Sequence, residues 1–222
     1  MEFIVAVDGP AGSGKGTITK IVGEKENLVY IDTGALYRCV TLSMLRKKVG
    51  LEDLEKIQEV LNTIDIEFKQ EEDQKKVYLN GEDVSKEIRE IAVNKFVSQV
   101  SHVVIVREAI TELSRKIAKG KQVIMEGRDI GTNVFPKADV KIYLDASPEE
   151  RAKRRQKQNE EKGINIPFQE IIENIKFRDN NDKTSPVAPL KQAEDAIYID
   201  SSNMTIEEVA EEVIKIIHQK RG

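Results

Sequence analysis

Residues 3–17 read Phe3-Ile-Val-Ala-Val-Asp-Gly-Pro-Ala-Gly-Ser-Gly-Lys-Gly-Thr17. An apolar run, Phe3 to Val7, stops at a glycine-rich turn, and a helix-compatible stretch, Ile18 to Val22, follows. The order predicts a strand, a phosphate-cradling loop and a helix. Gly9, Gly12, Gly14 and Gly16 lack Cβ atoms, so backbone N–H groups of the loop, with Pro10, Ala11 and Ser13 between them, can close on phosphate oxygens. The helix N-terminus adds partial positive charge, and Lys15 adds a full charge aimed at the β- and γ-phosphates. These features imply a nucleoside triphosphate site. The spacing glycine, four residues, glycine, lysine holds from Gly9 to Lys15 and departs at the next position. Where Ser or Thr commonly ligates Mg²⁺, this chain has Gly16, and Thr17 follows. Thr17 is therefore expected on a phosphate oxygen.

The rest of the composition narrows the partners. A chain of 222 residues with 39% apolar content suits one α/β core with small insertions. Its net charge of −4 gives no global basic field for nucleic acid or membrane, so local arginines must hold any anionic ligand. The single cysteine, Cys39, excludes an internal disulfide and a cysteine-based zinc site, and is expected half-buried beside Leu36 and Val40. No apolar run approaches the roughly 20 residues of a membrane span and no signal peptide precedes the first strand, which points to the cytoplasm.

Five β-type runs, Phe3–Val7, Val29–Ile31, Val123–Met125, Lys141–Leu144 and Ala196–Ile199, alternate mostly with helical stretches. That alternation predicts an α/β fold, a five-stranded parallel sheet with helices on both faces. Ser147-Pro-Glu-Glu150 and Thr205-Ile-Glu-Glu208 read as capped helix starts. After the second, Ile206, Val209, Ala210, Val213, Ile214 and Ile217 form one apolar stripe. In the middle, Ile64–Phe68 and Lys76–Leu79 flank an acidic turn-like stretch, Gln70–Gln74, and Asn80-Gly81 ends the second run. This predicts an antiparallel hairpin outside the parallel sheet. The expected organisation is a core of residues 1–36 and 93–222, an inserted lobe at 37–92, and a short lid at 151–166 within the core.

A phosphate-binding loop alone does not choose among nucleotide enzymes. The only Asn-Lys, Asn94-Lys95, lacks the following aspartate of a GTPase base-reading motif and sits in a helical stretch. Asp32-Thr-Gly-Ala-Leu-Tyr-Arg38 follows the second strand and Glu126-Gly-Arg-Asp-Ile-Gly-Thr132 the third. Ligands bind at the C-terminal edge of such sheets, so Arg38, Arg128 and the loop are expected to converge. Together with Asn80–Val84, Ile88-Arg89, Ser98-Gln-Val100, Val106-Arg-Glu-Ala109 and Arg178-Asp-x-x-Asp182, these segments resemble the bacterial-type cytidylate kinases, within the nucleoside monophosphate kinase family, over essentially the whole length.

The resemblance implies transfer of a phosphoryl group from ATP, with Mg²⁺, to CMP or dCMP by a monomer whose partners are small nucleotides. It implies that Arg38, Arg128 and Arg178 hold the acceptor phosphate, where a guanidinium forks onto phosphate oxygens. Ser98, Arg107 and Asp129 would read the cytosine edge, Asp182 the ribose, and Thr33 would also touch the acceptor. Lys15 and Arg128, with Arg151 and Arg155 as lid arginines over the ATP phosphates, would carry catalysis. Thr17 and Glu126 are the candidates near Mg²⁺. Ser185 departs from the family pattern, which often has an arginine there. Simpler readings stand beside these. Arg38 would be a surface arginine, Asp32 and Asp129 helix caps, Glu126 a partner of Arg128, and the run 151–157 a solvated helix face. His102 and His218 read as structural or exposed. A kinase for UMP, AMP or shikimate, or a non-catalytic nucleotide sensor, are the alternative functions.

Overall fold

Val5, Ala6 and Val7 are consecutive and all buried in the first strand, β1 (Phe3–Asp8), as a strand covered on both faces requires. The computed structural model describes residues 2–71, 74–161 and 163–222. In it β1 is the centre of a five-stranded parallel sheet. The order is β2 (Val29–Asp32), β6 (Gln122–Gly127), β1, β7 (Val140–Asp145), β8 (Ile197–Asp200). These are the five expected strands, with ends shifted slightly. The register sets Asp8 level with Gly127 on β6 and with Tyr143 on β7. The three strands therefore release their loops at one edge, side by side.

This sheet belongs to a compact unit of Met1–Ile31 and Ala118–Gly222. On one face α1 (Lys15–Lys25) and α8 (Ile206–Arg221) bury Ile18, Val22, Val209, Val213 and Ile217 against Val5, Val7, Ile124, Ile142 and Leu144. Thr205 and Glu208 form the expected reciprocal capping box, worth about 1 kcal/mol. The apolar stripe differs in detail. Ile216 is buried, whereas Ile206, the first helical residue, is 48% exposed. Helix α6 (Pro148–Glu160) starts at the Ser147 cap, with Pro148 in its first turn. It shares a small core of Ala152, Ile171, Ile172 and Ile175 with α7 (Phe168–Thr184). The lid segment 151–166 covers most of α6 and the link to α7, and its residue 162 lies outside the described residues.

A second compact unit spans Asp32–Ile117, wider than the 37–92 segment. It contains α2 (Thr33–Arg46), α3 (Leu54–Thr63), α4 (Ile91–Ser101), nearly all of α5 (Val104–Ala118), and an antiparallel sheet of β3 (Ile66–Glu71), β4 (Gln74–Leu79) and β5 (Glu82–Asp83). The expected hairpin gains a third strand because Asn80 (φ 51°) and Gly81 (φ 82°) reverse the chain tightly. Of the expected turn Gln70–Gln74, residues 72 and 73 lie outside the described residues. Leu36, Val40, Ile57, Val60, Leu79 and Ile88 form this unit's own core. Cys39 is fully buried there rather than half-buried, and burial pushes its thiol up to about 12. Among the described residues no helix is long and apolar enough to cross a membrane.

Candidate active site

The loop between β1 and α1 is closed by its own lysine. Lys15, the first residue of α1, donates from Nζ to the Pro10 carbonyl at 2.7 Å and to Ser13 Oγ at 3.3 Å. It is only 4% exposed. Burial, and after it the Arg128 charge, lower its pKa to about 7 against the opposing pull of Glu126, Asp8 and Asp182. Near pH 8 the ligand-free lysine is therefore mostly neutral. A phosphate beside it favours the ammonium form, so ATP binding at pH 8 should take up close to one proton, and this uptake should fade toward pH 6. Calorimetric titration in buffers of different ionisation enthalpy measures it; no uptake at pH 8, or uptake surviving in Lys15→Ala, contradicts this account.

The departure at Gly16 has a physical reason. A Cβ there would lie 3.0 Å from Glu126 Oε1 and 3.6 Å from the Tyr30 hydroxyl. Tyr30 donates that hydroxyl to Glu126 Oε1 at 2.5 Å. A carboxylate from the end of β6, oriented by a tyrosine of β2, thus takes the space that a side chain on α1 would fill. Carboxylate oxygen is a suitable donor for a hard cation or its water. Among the described residues no group of three or more His, Cys, Asp or Glu could hold a metal ion. Thr17 is exposed on the first turn of α1.

Arg128 and Asp129 leave the end of β6. Arg128 donates from Nε to Asp182 Oδ2 at 2.8 Å and from Nη1 to the Gly127 carbonyl at 3.3 Å. Asp182 thus holds an arginine in this structure, where the resemblance gave it the ribose. Asp129 is 4% exposed and accepts from Asn133 Nδ2 at 3.0 Å. The expectation that its side chain caps the following turn is corrected. The N–H groups of Ile130 and Gly131 go instead to Asp8, at 2.8 and 2.7 Å. Asp8 is buried, which raises its carboxyl to about 6 despite those bonds and the Lys15 charge. Arg178 lies half-buried on α7, one turn before Asp182. Ser185 is buried just past that helix and donates to the Val187 carbonyl at 2.7 Å, closing the chain on itself.

The arginines of α6 differ in how far they are buried. Arg151 is 2% exposed. It forks onto Asp179 at 2.8 and 2.5 Å and donates to the carbonyls of Ala146 (2.8 Å) and Ala11 (3.2 Å). It is neither on a solvated face nor a cation swinging free over the loop; it ties α6 and α7 to the loop backbone. Arg155 is exposed. Arg154, which the sequence reading passed over, donates to the Ser13 carbonyl at 3.3 Å and to the Ser201 carbonyl at 2.6 Å. Its i,i+3 spacing from Arg151 was the available signal.

The second unit holds the remaining candidates. Asp32 caps α2 by accepting from the Ala35 N–H at 3.0 Å, and Thr33, buried, is the first helical residue. The Arg38 guanidinium lies 2.8 Å from where a Cβ on Gly34 would sit, so Gly34 makes room for it. Ser98 is half-buried on α4. Arg107, 8% exposed, donates from Nε to the Ser101 carbonyl at 3.2 Å and stacks over Tyr37 at 5.5 Å. His218 is exposed and bonds Glu26 at 2.9 Å, a structural role; His102 ends α4.

A glycine loop that leaves the central strand and closes on a buried lysine, beside an arginine–aspartate loop after the next strand, defines a P-loop phosphotransferase. The shikimate kinase of Bacteroides thetaiotaomicron has the same fold, with a TM-score of 0.50 at 11% identity, covering 98% of this chain and 99% of that one. The sequence comparisons are narrower. The family model described as cytidylate kinase matches residues 5–219. Cytidylate kinase of Caldicellulosiruptor bescii is 45% identical over 97% of this chain and 95% of its own length. That of Bacillus subtilis is 44% identical over 99% of this chain and 98% of its own. The chain belongs to the cytidylate kinase family.

Proposed function

We infer that the chain transfers the γ-phosphoryl group of ATP to CMP or dCMP, giving ADP and CDP or dCDP, and acts as a monomer on small nucleotides in the cytoplasm. One observation supports this most. Asp8 and Gly127 are paired in register, so the triphosphate loop and the Arg128–Asp129 loop leave adjacent strands at the same level. The attacking group is a phosphate oxygen that is already anionic. It forms the new bond to the γ-phosphorus as the bond to the β,γ-bridging oxygen breaks, and no strong general base is needed. What the protein must supply is in-line positioning and positive charge. Lys15 supplies charge at the β- and γ-phosphates. Arg38, Arg128 and Arg178 hold the acceptor phosphate. Arg155 adds charge from the lid, while Arg151 holds the loop carbonyl of Ala11 in place. Mg²⁺, when bound with ATP, would neutralise phosphate charge, and Glu126 and Thr17 are the residues that would hold it or its water.

Selection of the base falls to Ser98, Arg107 and Asp129. A carboxylate accepts from the exocyclic amino group of cytosine, and the carbonyl of uracil offers no such donor. Turnover with Mg²⁺/ATP against CMP, dCMP, UMP, AMP, GMP and shikimate tests the reading. Activity is expected on CMP and dCMP, and a higher kcat/KM on any other acceptor overturns it. In the same panel Asp129→Ala should lower the CMP-over-UMP ratio by about 10- to 100-fold, the worth of one hydrogen bond to a charged group. An unchanged ratio removes Asp129 from base reading.

A further inference from the structure

We propose that Asp8 is a specificity-positioning residue: from the end of β1 its buried carboxylate fixes the peptide groups that follow Asp129 and so sets how Asp129 meets the acceptor base. The inference rests on the reading that Asp129 reads that base.

Asp8 is 5% exposed and immediately precedes Gly9. Its two oxygens accept from two consecutive N–H groups, Oδ1 from Ile130 at 2.8 Å and Oδ2 from Gly131 at 2.7 Å. Two bonds to adjacent peptides fix the orientation of both planes, where one bond would leave a hinge. The other side of the turn is also tied. The Asp129 carbonyl accepts from the N–H groups of Asn133 (2.9 Å) and Val134 (3.1 Å). With φ −145° and ψ 27°, Asp129 lies outside the regular helical and strand regions, so its presentation depends on these ties.

The choice of residue points the same way. Packing at a strand end needs only an apolar side chain, and burying a carboxylate is costly unless it is bonded and compensated. Only a carboxylate accepts at both oxygens; an asparagine would turn an N–H₂ donor toward one of the two N–H groups. The charged groups acting on Asp8 are Lys15, which favours its ionised form, and Asp129, which opposes it. The Lys141 stem also lies against Gly131, its Cδ 3.2 Å from where a Cβ there would sit.

The test is the CMP-over-UMP ratio of kcat/KM in four proteins: wild type, Asp129→Asn, Asp8→Asn and Gly131→Ala. The ratio does not depend on the fraction of enzyme that is folded, nor on changes at the ATP side that both acceptors share. Asp8→Asn should lower it about tenfold, the loss of one charge-assisted bond. Gly131→Ala should lower it less, because its Cβ would stand 3.3 Å from Asp8 Oδ2 and crowd the same clamp, part of the strain being taken up by the flexible Lys141 stem at 3.2 Å. Thermal unfolding of each variant records any purely structural cost. A wild-type ratio in both Asp8→Asn and Gly131→Ala, with Asp129→Asn still losing discrimination, overturns the role of Asp8. Retention of the ratio by Asp129→Asn overturns the base-reading assignment beneath it.

Discussion

Lys15→Ala is expected to lower turnover by about 10²–10³-fold, comparable to removing a preorganised donor from a developing anion. Lys15 meets the conditions for such an effect. Its Nζ sits in the closed loop on the Pro10 carbonyl, and those contacts can be exchanged for phosphate oxygens without recruiting a group from elsewhere. Burial has already removed its hydration, so the charge that ATP restores acts in a low-dielectric setting. The same burial separates catalysis from stability. A lysine whose pKa falls from 10.5 unfolded to about 7 folded binds fewer protons in the folded state between those values. Its cost to stability is therefore fully present below pH 7 and fades as pH rises toward 10.5. Lys15→Ala should consequently unfold at pH 7 no earlier than wild type while losing its turnover. Steady-state kcat together with a thermal melt at pH 7 checks both halves. Near-normal turnover would remove Lys15 from the transfer step.

Residues 3–17 and the strand runs were legible because local patterns govern them. Apolar runs ending in glycine turns mark strands, and Ser147 and Thr205 cap helices through neighbours only three residues away. What stayed hidden depends on pairs distant in the chain. Asp8 reads as the end of a strand, and nothing local says that its carboxylate caps a turn 122 residues later. Gly16 was visible as a departure, but the carboxylate that fills its place, Glu126, comes from another strand. Arg151 read as a lid arginine by resemblance, and as part of a solvated helix face from its charge run alone. Asp179, its partner, is on a separate helix. Strand β5 has two residues, too few for any period to register.

Gly9→Ala should cost more stability than any other single change in the loop. A Cβ on Gly9 would lie 2.0 Å from the Leu144 carbonyl oxygen and 3.0 Å from its carbon, and the backbone there has φ +150°. The obstacle is main chain, so no side-chain rotation relieves it. Nor can β7 step aside, since Leu144 is fully buried and its strand is held between β1 and β8. The substitution must part β1 from β7 at the edge where Asp8 and the loop begin. We expect a loss above about 4 kcal/mol, the range reserved for such clashes. Gly81→Ala is the control. Gly81 also has positive φ, +82°, but a Cβ there meets nothing within 4 Å, so strain alone should cost about 1–2 kcal/mol. Urea unfolding of the two variants separates clash from strain. Similar midpoints would mean that the β1–β7 spacing yields, and with it the claim that this spacing fixes where the phosphate-binding loop begins.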